Sequence, residues 1–468
     1  MGVEILNIKE LFAARDMTEG TPWKRIAEFA GPMLIGNLAQ QLYNTADSVI
    51  VGRYVGDNAL AAVGSAGPIL NLLLAIFVGV STGAGIVVSQ SFGAKDREGL
   101  SRNIGNCISL TVLVTAVIML IGPFIAMPLL RLLDTPSSII NWCANYLKIF
   151  FYGAAGFCFY NMLSGILRGL GDSFSALLYL LISAALNVVL DIFFVAKLNM
   201  AVPGVALATV IAQLISSIFC LMKLLRMRSV FDLNLRTLKP IKACAMNIVR
   251  IGVPSGITQG IMSMAMMVVQ SLTNSMGETV IACNVIIMRV DGFAMLPNMT
   301  FGQAMSVYTG QNVGAQKPDR VSAGVKQGAI MAASCSGIIT VILLFLGRYL
   351  FGIFTETQEL IDLAVRMMRL MAVGYVAISV TQVLGGVMRG AGDTVTPMWI
   401  SLLSSILLRV PVAYGLAYLT RSAAWPTGAP IALYSSNLIS WTMGALMSFI
   451  AFKKGKWRTR YAATLSHD

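Results

Sequence analysis

Twelve stretches of this 468-residue chain are apolar for long enough to cross a bilayer, and that limits it to very few folds. They cover residues 28–52, 59–83, 104–127, 144–167, 174–196, 203–225, 248–275, 280–306, 325–347, 367–388, 395–419 and 428–452. A helical crossing takes about 17–25 such residues. In hydrocarbon every backbone N–H and C=O must be paired within the protein, so only helices and closed barrels can span. Barrel strands would be shorter and would alternate apolar with polar side chains, whereas these runs are solid Leu, Ile, Val and Ala. With 56% hydrophobic and only 12% charged residues, against about 25% charged in soluble domains, the sequence predicts an all-α polytopic membrane protein with twelve transmembrane helices.

Lys and Arg orient it. With both termini on the cytoplasmic side, the inner segments carry 24 basic residues and the outer loops 8, which is the bias expected of cytoplasmic loops. The net charge of +13 is therefore a matter of topology. No nucleic-acid partner is expected, because no aromatic-interleaved basic module accompanies the charge. The run "KKGKWRTR" (453–460) reads as a stop signal touching anionic lipid. Seven cysteines without C-x-x-C spacing point to neither a disulfide framework nor a zinc site. Residues 1–22 lack the basic-then-apolar order of a cleavable leader and read as a cytosolic tail.

The chain also repeats. At an offset of 221 residues, "VGDNALAAV" (55–63) lies over "MGETVIACN" (276–284), and "QSFGA" (90–94) over "QNVGA" (311–315). "GILRGLGDS" (165–173) lies over "GVMRGAGDT" (386–394) at the same offset. Two homologous six-helix bundles follow, 23–225 and 248–452, joined by a cytosolic connector, 226–247, and closed by a basic tail, 453–468. An even number of helices per repeat makes the halves parallel, an arrangement in which substrate passes near the midplane.

Polar residues inside such helices need a reason, since an aspartate at a helix centre costs about 2.5–3.5 kcal/mol on insertion scales. On predicted helix 1, Asn37, Gln40, Gln41, Asn44, Asp47 and Ser48 fall at steps of three and four, on one face. Ser183, Asn187 and Asp191 do the same on helix 5, and Thr209, Gln213 and Ser216 on helix 6. Asp47, Asp191 and Thr209 each lie five residues inside an outer helix end, so they can converge at one depth. Two carboxylates meeting there would raise each other's affinity for a proton. The same group could hold Na+ with the Asn and Thr oxygens, or simply be a hydrogen-bonded packing cluster.

Pro32 followed by "QQLYNTAD", then "SQSFGA", "LRGLGD", "NVVLD" (187–191) and "GVALATV" (204–210), resembles the multidrug and toxic compound extrusion family over nearly the whole chain. The resemblance implies two six-helix lobes in a V shape. It also implies export of organic cations or amphipathic drugs against inward H+ or Na+, from a membrane location we expect to be the bacterial inner membrane. In the DinF-type branch the ion site belongs to the first lobe, which assigns Asp47, Asn187, Asp191 and Thr209 here. The NorM-type branch uses a glutamate on helix 7, and this chain has Gln259, Ser263 and Gln270 there instead. No cofactor is expected beyond the coupling ion, and a monomer in contact with lipid is the expected state.

In the second half, Asp291 and Arg409 lie at similar depth and are expected to pair, as a gate, a substrate contact or a structural link. Gln40, Asn44 and Met295 complete the candidate substrate path. Nine of 27 methionines fall within 262–305, and flexible thioethers suit varied ligands. Pro32, between Gly31 and Gly36, is a candidate hinge in helix 1. Two other functions compete. A flippase for lipid-linked saccharides would want more buried cations than Arg289 and Arg409. An intramembrane aspartyl enzyme would have to work without histidine, because the only one is His467.

Overall fold

The computed structural model describes residues 14–458, except 55–56, 133–134, 136, 138, 424 and 456; the side chains of 43–54, 57–69, 71–73, 132 and 196 also lie outside the description. Helices occupy all twelve predicted places. They are α1 (Pro22–Tyr54), α2 (Asp57–Gly93), α3 (Arg97–Leu132), α4 (Ile140–Tyr152 and Ala154–Gly169), α5 (Ser173–Asp191, continued by the π-helical turns Ile192–Lys197) and α6 (Ala201–Arg226). The second half supplies α7 (Lys242–Ser275), α8 (Glu278–Gly314), α9 (Pro318–Gly352) and α10 (Gln358–Ala372 and Gly374–Gly390). It ends with α11 (Val395–Ser401, π-helical turns Leu402–Leu408, then Arg409–Leu419) and α12 (Ile431–Lys454). Among the described residues, eight helices are apolar and long enough to cross a membrane, ten when each bent pair counts as one. α1 and α12, with 33 and 24 residues, have the length for a crossing and carry more polar side chains.

Two sequence expectations change. The C-terminal ends of α2 and α8 and the starts of α3 and α9 run about two to three turns past their apolar windows. Hydropathy marks the bilayer passage, whereas the helix continues wherever packing shelters its polar side chains, as at the buried Ser89, Gln311 and Asn312. The fourth and tenth helices are not continuous either: they bend by 55° and 43°, at Gly153 and just before its repeat equivalent, Gly374. A Cβ at Gly153 would lie 2.1 Å from Val210 Cγ1, and one at Gly374 2.7 Å from Trp441 Cε3. Gly153 and Gly156 together form a notch that admits the backbone of α6 at Val210 and Leu214.

The repeated "GLGD" and "GAGD" motifs end one helix and start the next. Gly171 and Gly392 take φ of +81° and +87°, the left-handed geometry glycine adopts at little cost. Asp172 then caps α5, accepting from the Ser175 N–H at 2.9 Å and its hydroxyl at 2.7 Å. Asp393 caps α11 through Thr396 at 3.2 and 2.7 Å. Asp172 also has Lys223 Nζ at 3.7 Å, and burial pushes its carboxyl above the usual range. We therefore expect Asp393→Ala to cost about 1 kcal/mol, as a lost cap does. Asp172→Ala should cost about 2–3 kcal/mol, because it also removes the carboxylate beside the mostly buried Lys223 ammonium. Thermal unfolding of the two purified variants should show that order.

The chain forms two compact units, and their division cuts through two helices. One unit holds residues 14–16 with Gly31–Gly256; the other holds Met17–Ala30 with Ile257 onward. In the second unit, the Met17 N–H donates to Gln311 Oε1 at 2.8 Å and the Trp23 N–H to Gln327 Oε1 at 2.8 Å. Arg320 donates to the carbonyls of Gly20 and Met17 at 2.8 and 3.2 Å, and Lys317 to that of Thr18 at 3.0 Å. From Met17 on, the expected cytosolic tail is thus packed structure. In the first unit, the Ile241 N–H donates to Asn106 Oδ1 at 2.7 Å and Ser109 to the Leu238 carbonyl at 2.5 Å. Asn106 and Gln327 are repeat equivalents, so the same kind of side chain receives the start of α7 in one unit and of α1 in the other. The connector is pinned as well: Arg97 grips Asp232 at 2.9 and 3.0 Å and holds its carboxyl below the usual range, chiefly through that hydrogen bond.

Within the first unit α2 and α7 cross through glycines. A Cβ at Gly79 would lie 2.1 Å from the Gly256 nitrogen, and one at Gly83 2.6 Å from that of Gly252. The second repeat has Thr300 and Ala304 in place of Gly79 and Gly83, so this contact distinguishes the halves.

Candidate functional site

The predicted stripe on α5 faces inward. Ser183, Asn187 and Asp191, spaced four apart, are 8, 1 and 0% exposed, and Thr209 on α6 is 9% exposed. The notch at Gly153 and Gly156 brings α6 in beside Thr209, so its hydroxyl reaches α5. The surroundings of Asn187 set its amide orientation. Its nitrogen donates to Asp191 Oδ2 at 2.8 Å, and its oxygen lies 3.0 Å from the Thr209 N–H and 3.2 Å from the Thr209 hydroxyl. The hydroxyl has one proton to donate, for which the Val205 carbonyl at 3.1 Å competes with the Asn187 oxygen. One turn along α6, Gln213 Oε1 is sealed from solvent without a donor among the described residues, and Ser216 donates to the Tyr179 carbonyl at 3.0 Å. Directly after Asp191, α5 widens into π-helical turns, a feature that often marks working segments of helices.

The structure thus brings Asn187, Asp191 and Thr209 together. The side chains of Asp47 and Asn44 lie outside the described residues, although the α1 backbone runs through both positions. Gln40 is exposed, Asn37 and Gln41 are half-buried, and Pro32 sits half-buried inside an unbroken α1. Among the described residues no group of three His, Cys, Asp or Glu side chains is placed to hold a metal ion.

In the second unit the expected contact of Asp291 with Arg409 is not made. Asp291 instead accepts from the Tyr375 hydroxyl at 2.6 Å, and Tyr375 is fully buried against Trp441, with ring centroids 5.6 Å apart. Arg409 is close enough for the two charges to act on each other, yet none of its nitrogens comes within 4.0 Å of an acid among the described residues. Nearby in sequence, Asn284 accepts from the Tyr434 hydroxyl at 3.0 Å and donates to Gln270 at 3.3 Å, which ties α7, α8 and α12. Sequence reasoning missed Tyr375, Asn284 and Tyr434. Asn284, Met288 and Asp291 are spaced four and three apart on α8, and that face was the available signal for the first of them.

Met295 packs half-buried against the apolar core of this unit. Of the nine methionines in 262–305, only Met276 and Met305 are buried; Met264, Met266, Met267, Met288 and Met299 are 42–52% exposed. They line surface, where thioethers can adapt to lipid or ligand.

The MatE family profile matches this chain twice, over residues 32–193 and 254–415, once in each half. The chain belongs to the MATE family. It is therefore a membrane transporter and not an enzyme. Two Bacillus subtilis relatives are each 28% identical. The probable multidrug resistance protein YoeA aligns over 88% of this chain and 91% of its own, and the probable multidrug resistance protein YpnP over 95% and 98%. The Staphylococcus aureus multidrug export protein MepA is 24% identical over 80% of this chain and 83% of its own. Among solved structures, an outward-facing multidrug resistance MATE transporter of the MOP superfamily superposes with a TM-score of 0.87 at 24% identity, over 96% of this chain and 98% of that one. A MATE crystal structure in the straight conformation gives 0.86 with the same identity and coverage. Both halves of the expected architecture are thus those of the family.

Proposed function

We propose that this MATE-family chain is a secondary multidrug efflux transporter of the inner membrane, with both termini cytoplasmic. It exports organic cations or amphipathic compounds by antiport against H+ or Na+. The observation that carries the reading is the sealed Asn187–Asp191–Thr209 group, a site where a carboxylate is costly unless an ion neutralises it. Asp47 is its proposed partner, as the DinF-type pattern implies. A proton can be added to Asp191 with Asn187 oriented as it is. Na+ requires oxygens, so it would turn the amide over to present the Asn187 carbonyl. Proteoliposomes loaded with a fluorescent organic cation test this: efflux should follow an imposed pH gradient or an imposed Na+ gradient, and efflux indifferent to both would reject antiport.

A further inference from the structure

Arg409 is a half-buried cation that meets no hydrogen-bond acceptor among the described residues. Its Nε is sealed from solvent with no hydrogen-bond partner, while its terminal nitrogens keep accessible surface. Among the described residues it takes part in no side-chain hydrogen bond and no ion pair. It lies ten residues inside the end of α11 at Leu419, about 15 Å along the axis, too deep to be explained as a side chain reaching for the interface. Asp291 acts on it through charge alone, without a hydrogen bond, and a desolvated guanidinium is well compensated only when its donors are also met.

Three further observations point to a ligand. The one nearby carboxylate, Asp291, is engaged by Tyr375. The repeat equivalents of Arg409 and Asp291 are Val188 and Leu70, so the shared fold does not require charge at either place. The π-helical turns Leu402–Leu408 end at Arg409, whose N–H donates to the Ser404 carbonyl five residues back. This widened turn sets where the guanidinium sits.

We infer that Arg409 is an anion-binding subsite for the transported compound, taking a carboxylate on its planar fork of donors. Asp291, held by Tyr375, attracts a cationic group beside it. The substrate class this geometry selects is the carboxylate-bearing zwitterion. The inference rests on the efflux reading above and deepens it.

The test compares two xanthene dyes, one with a free carboxylate (a zwitterion at neutral pH) and its ethyl ester (a cation), binding to the purified full chain in nanodiscs without any gradient. Arg409→Gln should weaken the carboxylate dye about tenfold, as the loss of a charge-assisted bond does, and leave ester binding within about twofold. Retained ester binding also shows that the variant is folded. Arg409→Lys keeps the charge without the fork and should fall between. Asp291→Asn should weaken the ester. If the wild type binds both dyes alike, or Arg409→Gln weakens both by one factor, the subsite is wrong. If Arg409→Gln does not fold, equal carboxylate affinity in Arg409→Lys and wild type overturns it. The readout needs no ion gradient, so a failure of coupled efflux leaves this result standing, and the reverse holds too.

Discussion

Asp191→Asn is expected to reduce gradient-driven efflux to the leak of empty liposomes while leaving expression and ester-dye binding near the wild-type level. The asparagine keeps the shape and can still meet the Asn187 amide, which now lies 2.8 Å from Asp191 Oδ2. It cannot take up or release a proton, nor offer charge to Na+. Membrane insertion should become easier, since a charged residue at a helix centre carries a penalty of about 2.5–3.5 kcal/mol. Lost transport in a well-expressed, ligand-binding protein is therefore a coupling defect. Asp47→Asn should behave alike if that residue completes the site. Wild-type efflux in both variants, under both gradients, would remove the first-half site as the seat of coupling. Thr209→Ala is the graded control, since it deletes one oxygen and no charge; a partial loss is expected.

The second large effect concerns packing. Gly79→Ala should destabilise the chain by about 3 kcal/mol or more, at the top of the range for overpacked helix contacts, because the added methyl would meet the Gly256 backbone at 2.1 Å. Backbone cannot swing aside as a long side chain can, so α2 and α7 would have to separate. Gly31→Ala, at the repeat equivalent of Gly252 and with nothing within 4 Å of its Cβ position, should be nearly neutral. Fluorescence-detected size exclusion after heating would compare the two, and equal melting temperatures would mean that the crossing is not the tight contact its glycines indicate.

Much of this was legible in the sequence because the bilayer enforces simple rules. Apolar length located every helix, and the 221-residue offset exposed the duplication. The stripe on α5 could be read because inward-facing residues recur every three or four positions. The helix ends, the two bends and the second-half polar network were not legible. Hydropathy is blind to helix continuing outside the bilayer, as at the end of α8 with its buried Gln311 and Asn312. The bends at Gly153 and before Gly374 depend on what lies across from them, Val210 and Trp441, which no local window contains. Asp291 and Arg409 share a depth, but depth does not fix rotation about a helix axis, and Tyr375 was the nearer donor.

The exchange of the first turns of α1 and α7 bears on how the chain is made. The first unit requires residues through Gly256, well past the connector, so it cannot finish assembling when six helices have left the ribosome. Met17–Ala30, synthesised well before their partners, must wait for Gln311, Arg320 and Gln327 to be made. A gene severed within the connector would therefore yield two fragments, each carrying a piece the other needs. Expressed together they should complement each other; expressed singly, each should be cleared by membrane quality control. Duplication produced two copies of one bundle, and this exchange makes them a single unit of biogenesis.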